Sequence, residues 1–302
     1  MTVEEVARTA VGAVDSSDSF ALACQWVAER YQQLVSRAKF KFLRRVGEVV
    51  IPAAYQTGTA TVTKGSSVVM GTGVVWSPTY AGWYFKSGKV WHEIAGANDP
   101  GLAILTLVNP FTDEDVIDGS YVLVNKKVLL DPSARWIADR MVQMNTGHPI
   151  SRFSQLEMTM KDPSRPEVGP DPTTYIESGI DPNTGARQFE FYPYTDHNVL
   201  VGYVYWADPP VLTSTDSIPF HIDPYILKEG CLIDLMRYMQ SRAAHEGKVD
   251  VAGFWRNEAR AQETIWERRV QEAIHTDTGT SDTALILALG SSGNQSTTSW
   301  GV

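Results

Sequence analysis

The residues able to do chemistry are scattered along this chain. Six histidines, His92, His148, His197, His221, His245 and His275, are the natural proton-transfer groups near neutral pH, and none has a partner at metal-ligand spacing. The sequence has no HExxH helix, no G-x-S-x-G elbow and no Walker loop. Gly71-Thr72-Gly73 lacks the third glycine and the following helix of a dinucleotide loop, so it reads as a turn. Asp113, Glu114, Asp115 and Asp118 crowd one loop without EF-hand spacing, which points to a solvated loop. A glycosidase needs two carboxylates about 5–10 Å apart beside an aromatic cleft. Nine tryptophans and twelve tyrosines could line one, but no spacing selects an acid pair. His92, in a β pattern, and His148, before a proline, read as structural. The expectation is a protein that is not an enzyme, with no cofactor and no metal.

Bulk composition narrows the class further. The chain has 302 residues, 43% hydrophobic and 20% charged, enough for a sizeable core. A net charge of −9 argues against binding nucleic acid by neutralising phosphates, although an acidic surface lets DNA pass without sticking. Cys24 and Cys231 sit in helical patterns and read as buried thiols in a reducing compartment. The first residues, with Glu4 and Glu5, do not form a signal peptide, and no apolar run reaches the roughly 18 residues of a membrane span.

The elements that must position these residues fall into blocks. Phe20, Cys24, Val27, Tyr31, Leu34 and Ala38 recur at helical spacing after a polar cap region. The helix is expected to end in Arg37, Lys39, Lys41, Arg44 and Arg45, which either offset the helix dipole or lie near DNA, before Gly47 and Pro52 break the pattern. From Thr57 to Asn109 short alternating strands are closed by glycine turns, with hairpins at Lys64-Gly65-Ser66 and Ser87-Gly88-Lys89. That pattern suggests a small barrel or sandwich. Asp131-Pro132 is read as a helix start, with Trp136, Ile137, Arg140, Met141 and Met144 on the helix. Segments 155–160, 174–178, 188–192 and 200–206 are expected strands, with a strong turn at Asp181-Pro182-Asn183-Thr184-Gly185. Asp223-Pro224 caps a helix ended by Gly247, and Asp250 begins another that should pack antiparallel to it. Residues 276–302 are rich in Thr, Ser and Gly, yet carry Leu285, Ile286, Leu287, Leu289 and Trp300. These are anchors for an extended arm rather than a core.

The β block resembles the barrel-like insert of head-to-tail adaptor (connector) proteins of tailed bacteriophages. The likeness rests on Gly71, Gly73, Trp76, Gly82, Phe85, Trp91, Ile94 and Leu105 to Leu107. Around it, Gly147-His148-Pro149, Tyr203, Trp206, Pro209-Pro210 and Ile222 to Leu227 resemble the family's order of elements, over most of 18–274. Phe40-Lys41-Phe42-Leu43 lacks the family's tryptophan, and the acidic loop after Leu107 has no counterpart.

The resulting expectation is an α+β fold. Its frame is an antiparallel bundle of N-terminal, middle and C-terminal helices, with an inserted small β-barrel or sandwich, an additional β region and a C-terminal arm. The boundaries are 1–46 (helical), 47–130 (β insert), 131–150 (bundle helix), 151–222 (β-rich), 223–275 (helix pair) and 276–302 (arm). The resemblance implies a virion protein of the neck, assembled in the host cytoplasm, forming a ring of about twelve copies below the portal. Its partners would be itself, the portal protein, the tail nozzle or tube, fibre proteins, and double-stranded DNA passing without sequence-specific binding; no membrane is implied. The arm residues would hold the portal, the basic cluster would lie near the channel, and Trp83 and Trp91 would be exposed contacts of the insert. The alternatives are a host-surface carbohydrate-binding module and, last, a glycoside hydrolase.

Overall fold

The computed structural model describes residues 1–97, 103–165 and 167–278. Helices α1 (Val3–Ala13) and α2 (Phe20–Ser36) open the chain. Nine strands follow: β1 (Arg44–Ile51), β2 (Thr59–Val62), β3 (Val68–Thr72), β4 (Tyr84–Lys86), β5 (His92–Ala97), β6 (Ile104–Leu107), β7 (Val116–Gly119), β8 (Val122–Val124) and β9 (Val128–Leu129). Next come β10 (Ala134–Gln143), β11 (Pro149–Phe153), the short helix α3 (Gln155–Lys161), β12 (Val168–Gly169), β13 (Thr174–Ile180), β14 (Arg187–Tyr192), β15 (Tyr194–Thr195) and β16 (Val199–Ala207). Helices α4 (Pro224–His245) and α5 (Val249–Thr278) complete the described residues.

Two compact units result. Among the described residues, one joins Met1–Arg44 to 206–278, and the other is Arg45–Tyr205. In the helical unit, α1 starts at a capping box: Glu5 N donates to Thr2 Oγ1 (3.2 Å) and Thr2 N to Glu5 Oε2 (2.8 Å). The apolar stripe of α2 buries Cys24, Val27, Tyr31 and Leu34, but the helix stops at Ser36 rather than in the basic cluster, and Arg44 and Arg45 already belong to β1. Arg237 of α4 pairs with Glu263 of α5 (2.9 Å), while Glu229, earlier on α4, pairs with Arg269, later on α5 (3.0 Å). The two helices therefore run antiparallel. Cys24 and Cys231 are buried, unbridged thiols, and burial pushes Cys231 up to about 12.

In the β unit, one seven-stranded sheet has the order β7-β2-β3-β6-β5-β4-β8. Its hairpin turn at Gly65 uses a positive φ of 83°, a conformation that favours glycine. Trp76, Phe85, Leu105, Phe111 and Leu123 form the buried centre of this module. Trp76 Nε1 donates to Tyr121 Oη (2.9 Å), which donates to Thr57 O (2.6 Å), so these two polar groups stay satisfied. A Cβ on Gly71 would meet Val74 Cγ2 at 2.3 Å and Trp76 Cη2 at 2.7 Å, so only glycine lets that ring close over the strand. The second seven-stranded sheet has the order β1-β16-β10-β11-β13-β14-β9, with β11 and β13 parallel.

The expected helical bundle with a small β insert is therefore incorrect. The chain is a mixed α/β protein dominated by large curled sheets. Residues 134–143, expected as a bundle helix, are strand β10, paired with β16 and β11. Asp131 does not cap a helix: its Oδ1 accepts from Ser133 N (2.8 Å) and Ser133 Oγ (2.6 Å), and its Oδ2 accepts from Tyr205 of β16 (3.0 Å). Met141 and Val142 are both buried, so this central strand lost the alternation that marks a strand, and its apolar spacing mimicked a helix. Conversely, 155–160 is helix α3, because Ser154 and Glu157 form a second capping box.

Trp76→Ala should destabilise the β unit by about 3–5 kcal/mol, because it removes the largest side chain of a closed core. Urea unfolding followed by fluorescence checks this, and Val75→Ala, at an exposed neighbour, should leave the midpoint unchanged.

Candidate functional site

The basic segment after α2 folds back on aromatic rings within the helical unit. Arg37 chelates Glu267 (2.7 and 2.8 Å) and lies 4.8 Å from the Trp266 ring. Arg30 covers the same ring at 4.7 Å and forms a forked pair with Asp234, both bonds 2.7 Å. Lys39 and Arg44 lie 4.8 and 5.5 Å from the Trp206 ring. Lys41 is exposed, and its backbone N donates to Asp277 on α5. Arg45 is exposed at the start of β1. Of the five cations expected near a channel, Arg37 thus holds the packing of α2 on α5, while Lys39 and Arg44 cover Trp206 of β16.

That packing leaves a pocket of about 500 Å³. Leu34, Phe40, Ile222 and Ile226 form its apolar wall, and Arg268, Arg269 and Glu272 of α5 face them. His221 lies at the edge, stacked on Phe42 at 5.7 Å with an interplanar angle of 12°.

The β unit holds a different cluster, an ionic centre closed off from water. Glu190 on β14 has a side chain 6% exposed. It accepts from Arg165 Nη1 (2.5 Å) and Tyr194 Oη (2.6 Å), with Lys126 Nζ at 3.7 Å. Lys126 lies against Trp91 (4.1 Å), Tyr84 (5.4 Å) and Tyr194 (5.7 Å), so its ammonium is caged by rings. Burial lowers the Lys126 ammonium to about 8, with Glu190 opposing the shift and Arg165 and Lys86 adding to it. Lys86 Nζ and Trp91 Nε1 both donate to Ser164 O, at 2.7 and 3.0 Å. Arg165 holds a left-handed φ of 42°, unusual for a bulky residue, where it reaches into this centre.

Trp91 is thus half-buried in the cluster, and Trp83 is half-buried against Tyr80 at 4.8 Å; neither stands open as a platform. Leu285, Ile286, Leu287, Leu289 and Trp300 lie outside the described residues. His92 is buried at 4.9 Å from Phe111, and burial lowers its pKa. Among the described residues no group of three or more His, Cys, Asp or Glu could hold a metal. The acidic loop caps turns: Asp113 accepts from Lys89 N and Val90 N, and Asp115 from Lys64 N. Sequence reasoning missed Lys126, Arg165, Glu190 and the Arg30–Asp234 pair. Only Arg30 left a trace, as a charge on the buried stripe of α2 between Val27 and Leu34. No protein-family model matches this chain, and no curated protein matches it.

The folded chain releases the Lys126 proton near pH 8, whereas an unfolded lysine keeps it to about 10.5. Between those values the unfolded state binds more protons, so stability rises with pH, by on the order of 2 kcal/mol. Tyr192 and Tyr194, pushed above the usual range by burial, reverse the slope above about pH 10. Urea midpoints from pH 7 to 9.5 should climb in the parent protein, and Lys126→Met should flatten that climb.

Proposed function

We propose that this chain is a virion structural protein, a head-to-tail adaptor whose copies form a ring below the portal and extend the channel for DNA. One observation carries the reading. Among the residues on which the family resemblance rests, Trp76, Phe85, Ile94, Leu105 and Leu107 are buried in one core of the first β module, and Gly71 is confined by Trp76. These positions support the reading because they are ones on which the module's packing depends.

Two features support assembly as the role. The start of α5 exposes Val249 (74%), Val251 (44%) and Phe254 (54%), apolar surface that a second subunit would cover. The net charge of −9 suits a channel that duplex DNA traverses, and Arg37, Lys39 and Arg44 are engaged by Glu267, Trp266 and Trp206. In this reading the portal protein, the tail and fibre proteins are the neighbours, in the neck of the virion.

Native mass spectrometry and negative-stain imaging, with and without purified portal rings, test the reading. Rings of about twelve copies are expected. A chain that stays monomeric at micromolar concentration and never decorates portal rings overturns it. Phe254→Glu should lower ring yield at least about tenfold, the effect of about 1.4 kcal/mol per contact, while far-UV circular dichroism stays unchanged.

A further inference from the structure

Helix α5 carries a knob at one end and a hole at the other. Near its start, Val251 and Phe254 are 44% and 54% exposed and, three positions apart, share one face. Its last turns line the pocket of about 500 Å³, where Arg268 and Ala273 stand opposite an apolar wall of Phe40, Ile222 and Ile226. Phe220, 88% exposed, directly precedes the pocket residue His221 in the chain. Knob and pocket both belong to the helical unit. We infer that Val251 and Phe254 of one copy seat in the pocket of the next, a head-to-tail contact between subunits.

Separation rules out the chain's own knob as the occupant. Phe254 and Arg268, the first pocket residue along α5, are 14 positions apart on one continuous helix. At 1.5 Å per residue that is about 21 Å, far beyond the reach of a side chain. The knob therefore meets this pocket only in another molecule. Size agrees. The pocket lies within the roughly 300–1,000 Å³ that encloses a small organic body, and a phenylalanine ring brings about 150–250 Å² of surface to bury there. Charge agrees as well. Glu258 is exposed one turn beyond Phe254 on the same face. At the pocket, Arg268 is 70% exposed and its partner Glu272 is 3.9 Å away, so the guanidinium is open to a carboxylate of the next copy. The other pocket acids are engaged: Asp223 accepts from Tyr225 N (2.9 Å) and Asp277 from Lys41 N. A contact between two different surfaces of one chain is heterologous, so it repeats from copy to copy and closes where the rotation allows. It deepens the adaptor reading and rests on that reading for closure into a ring.

Cross-linking of the full-length chain with a short bismaleimide tests it. Val251→Cys places a thiol on the knob and Ala273→Cys one on the pocket wall, each with little change in volume. Cys24 and Cys231 are buried and do not compete. At micromolar concentration the double variant should give a ladder of dimers, trimers and larger species, and each single variant no band beyond those of the parent. Arg268→Glu should lower the ladder yield about threefold, and adding Glu258→Arg should restore it, with far-UV circular dichroism unchanged throughout. Dimers alone, dimers already formed by the Val251→Cys variant, a ladder indifferent to the charge reversal, or no cross-link overturns the inference. Ring formation and portal decoration are scored separately. Rings without the ladder remove this contact and leave the adaptor reading standing, whereas a ladder on a chain that never decorates portal rings keeps the contact and counts against the adaptor.

Discussion

Burying the Glu190 carboxylate sets the terms for the β unit. A lone carboxylate at that depth would cost several kcal/mol, so it must be ringed by donors fixed in place. Those donors come from distant points: Arg165 after α3, Tyr194 on β15 and Lys126 between β8 and β9. Each must arrive in register before the charge is tolerable. The requirement explains why Arg165 accepts a left-handed backbone and why Ser164 O is held by both Lys86 and Trp91. The cluster ties the edge of one seven-stranded sheet, through β4 and β8, to the other, through β9 and β14. Such a centre specifies one arrangement more than it adds stability, since an imperfect arrangement leaves a buried charge unpaired.

The helical unit solves a similar problem with a glycine. A Cβ at position 230 would sit 2.9 Å from both Arg30 Cδ and Trp266 Nε1. Glycine inside α4 costs about 1 kcal/mol of helix propensity. In exchange α4 comes close enough to α2 for Arg30 to fork onto Asp234 while lying on the Trp266 ring. Arg37 closes the other approach to that ring and pairs with Glu267 beside it. The three long helices are thus locked by one cation–aromatic stack, and the pocket lies where their ends leave α2, α4 and α5 unfilled.

How much of this was legible follows from the range of the interactions. Local signals read well. The glycine turns at 65 and 185, the Asp223-Pro224 start and the stripe of α2 match the elements because each is decided within a few residues. The β hairpins around Thr61 and Met70 were legible for the same reason. Reading failed where neighbours far along the chain decide. Residue 131 looked like a helix cap until Tyr203 and Tyr205 of β16 claimed it, and β10 looked helical because burial on both faces erased its alternation. The opposite error at 155–160 was avoidable, because Ser154 and Glu157 spell a capping box. The ionic centre had no local signature at all: Lys126 and Glu190 are 64 positions apart, and nothing near either one announces a charge inside a protein.

The distribution of apolar surface bears on what such a scaffold is for. Among the described residues, buried Arg30 and Arg165 are ion-paired at short range with Asp234 and Glu190. Yet Phe220 is 88% exposed, and the first turns of α5 leave Val249, Val251 and Phe254 in water. Scattered exposed apolar residues are ordinary on any protein, but Val251 and Phe254, three positions apart, share one face of α5, with Val249 on another. A chain with net charge −9 resists nonspecific association by repulsion, so a second subunit would settle only where contact area is apolar and free of carboxylates. Only Asp250 falls within Val249–Phe254, and it lies in the first turn, where the helix dipole already favours a negative charge. In the proposed adaptor reading, repulsion over the rest of the surface and attraction at Val251 and Phe254 would together favour one geometry of association, as a closed ring demands.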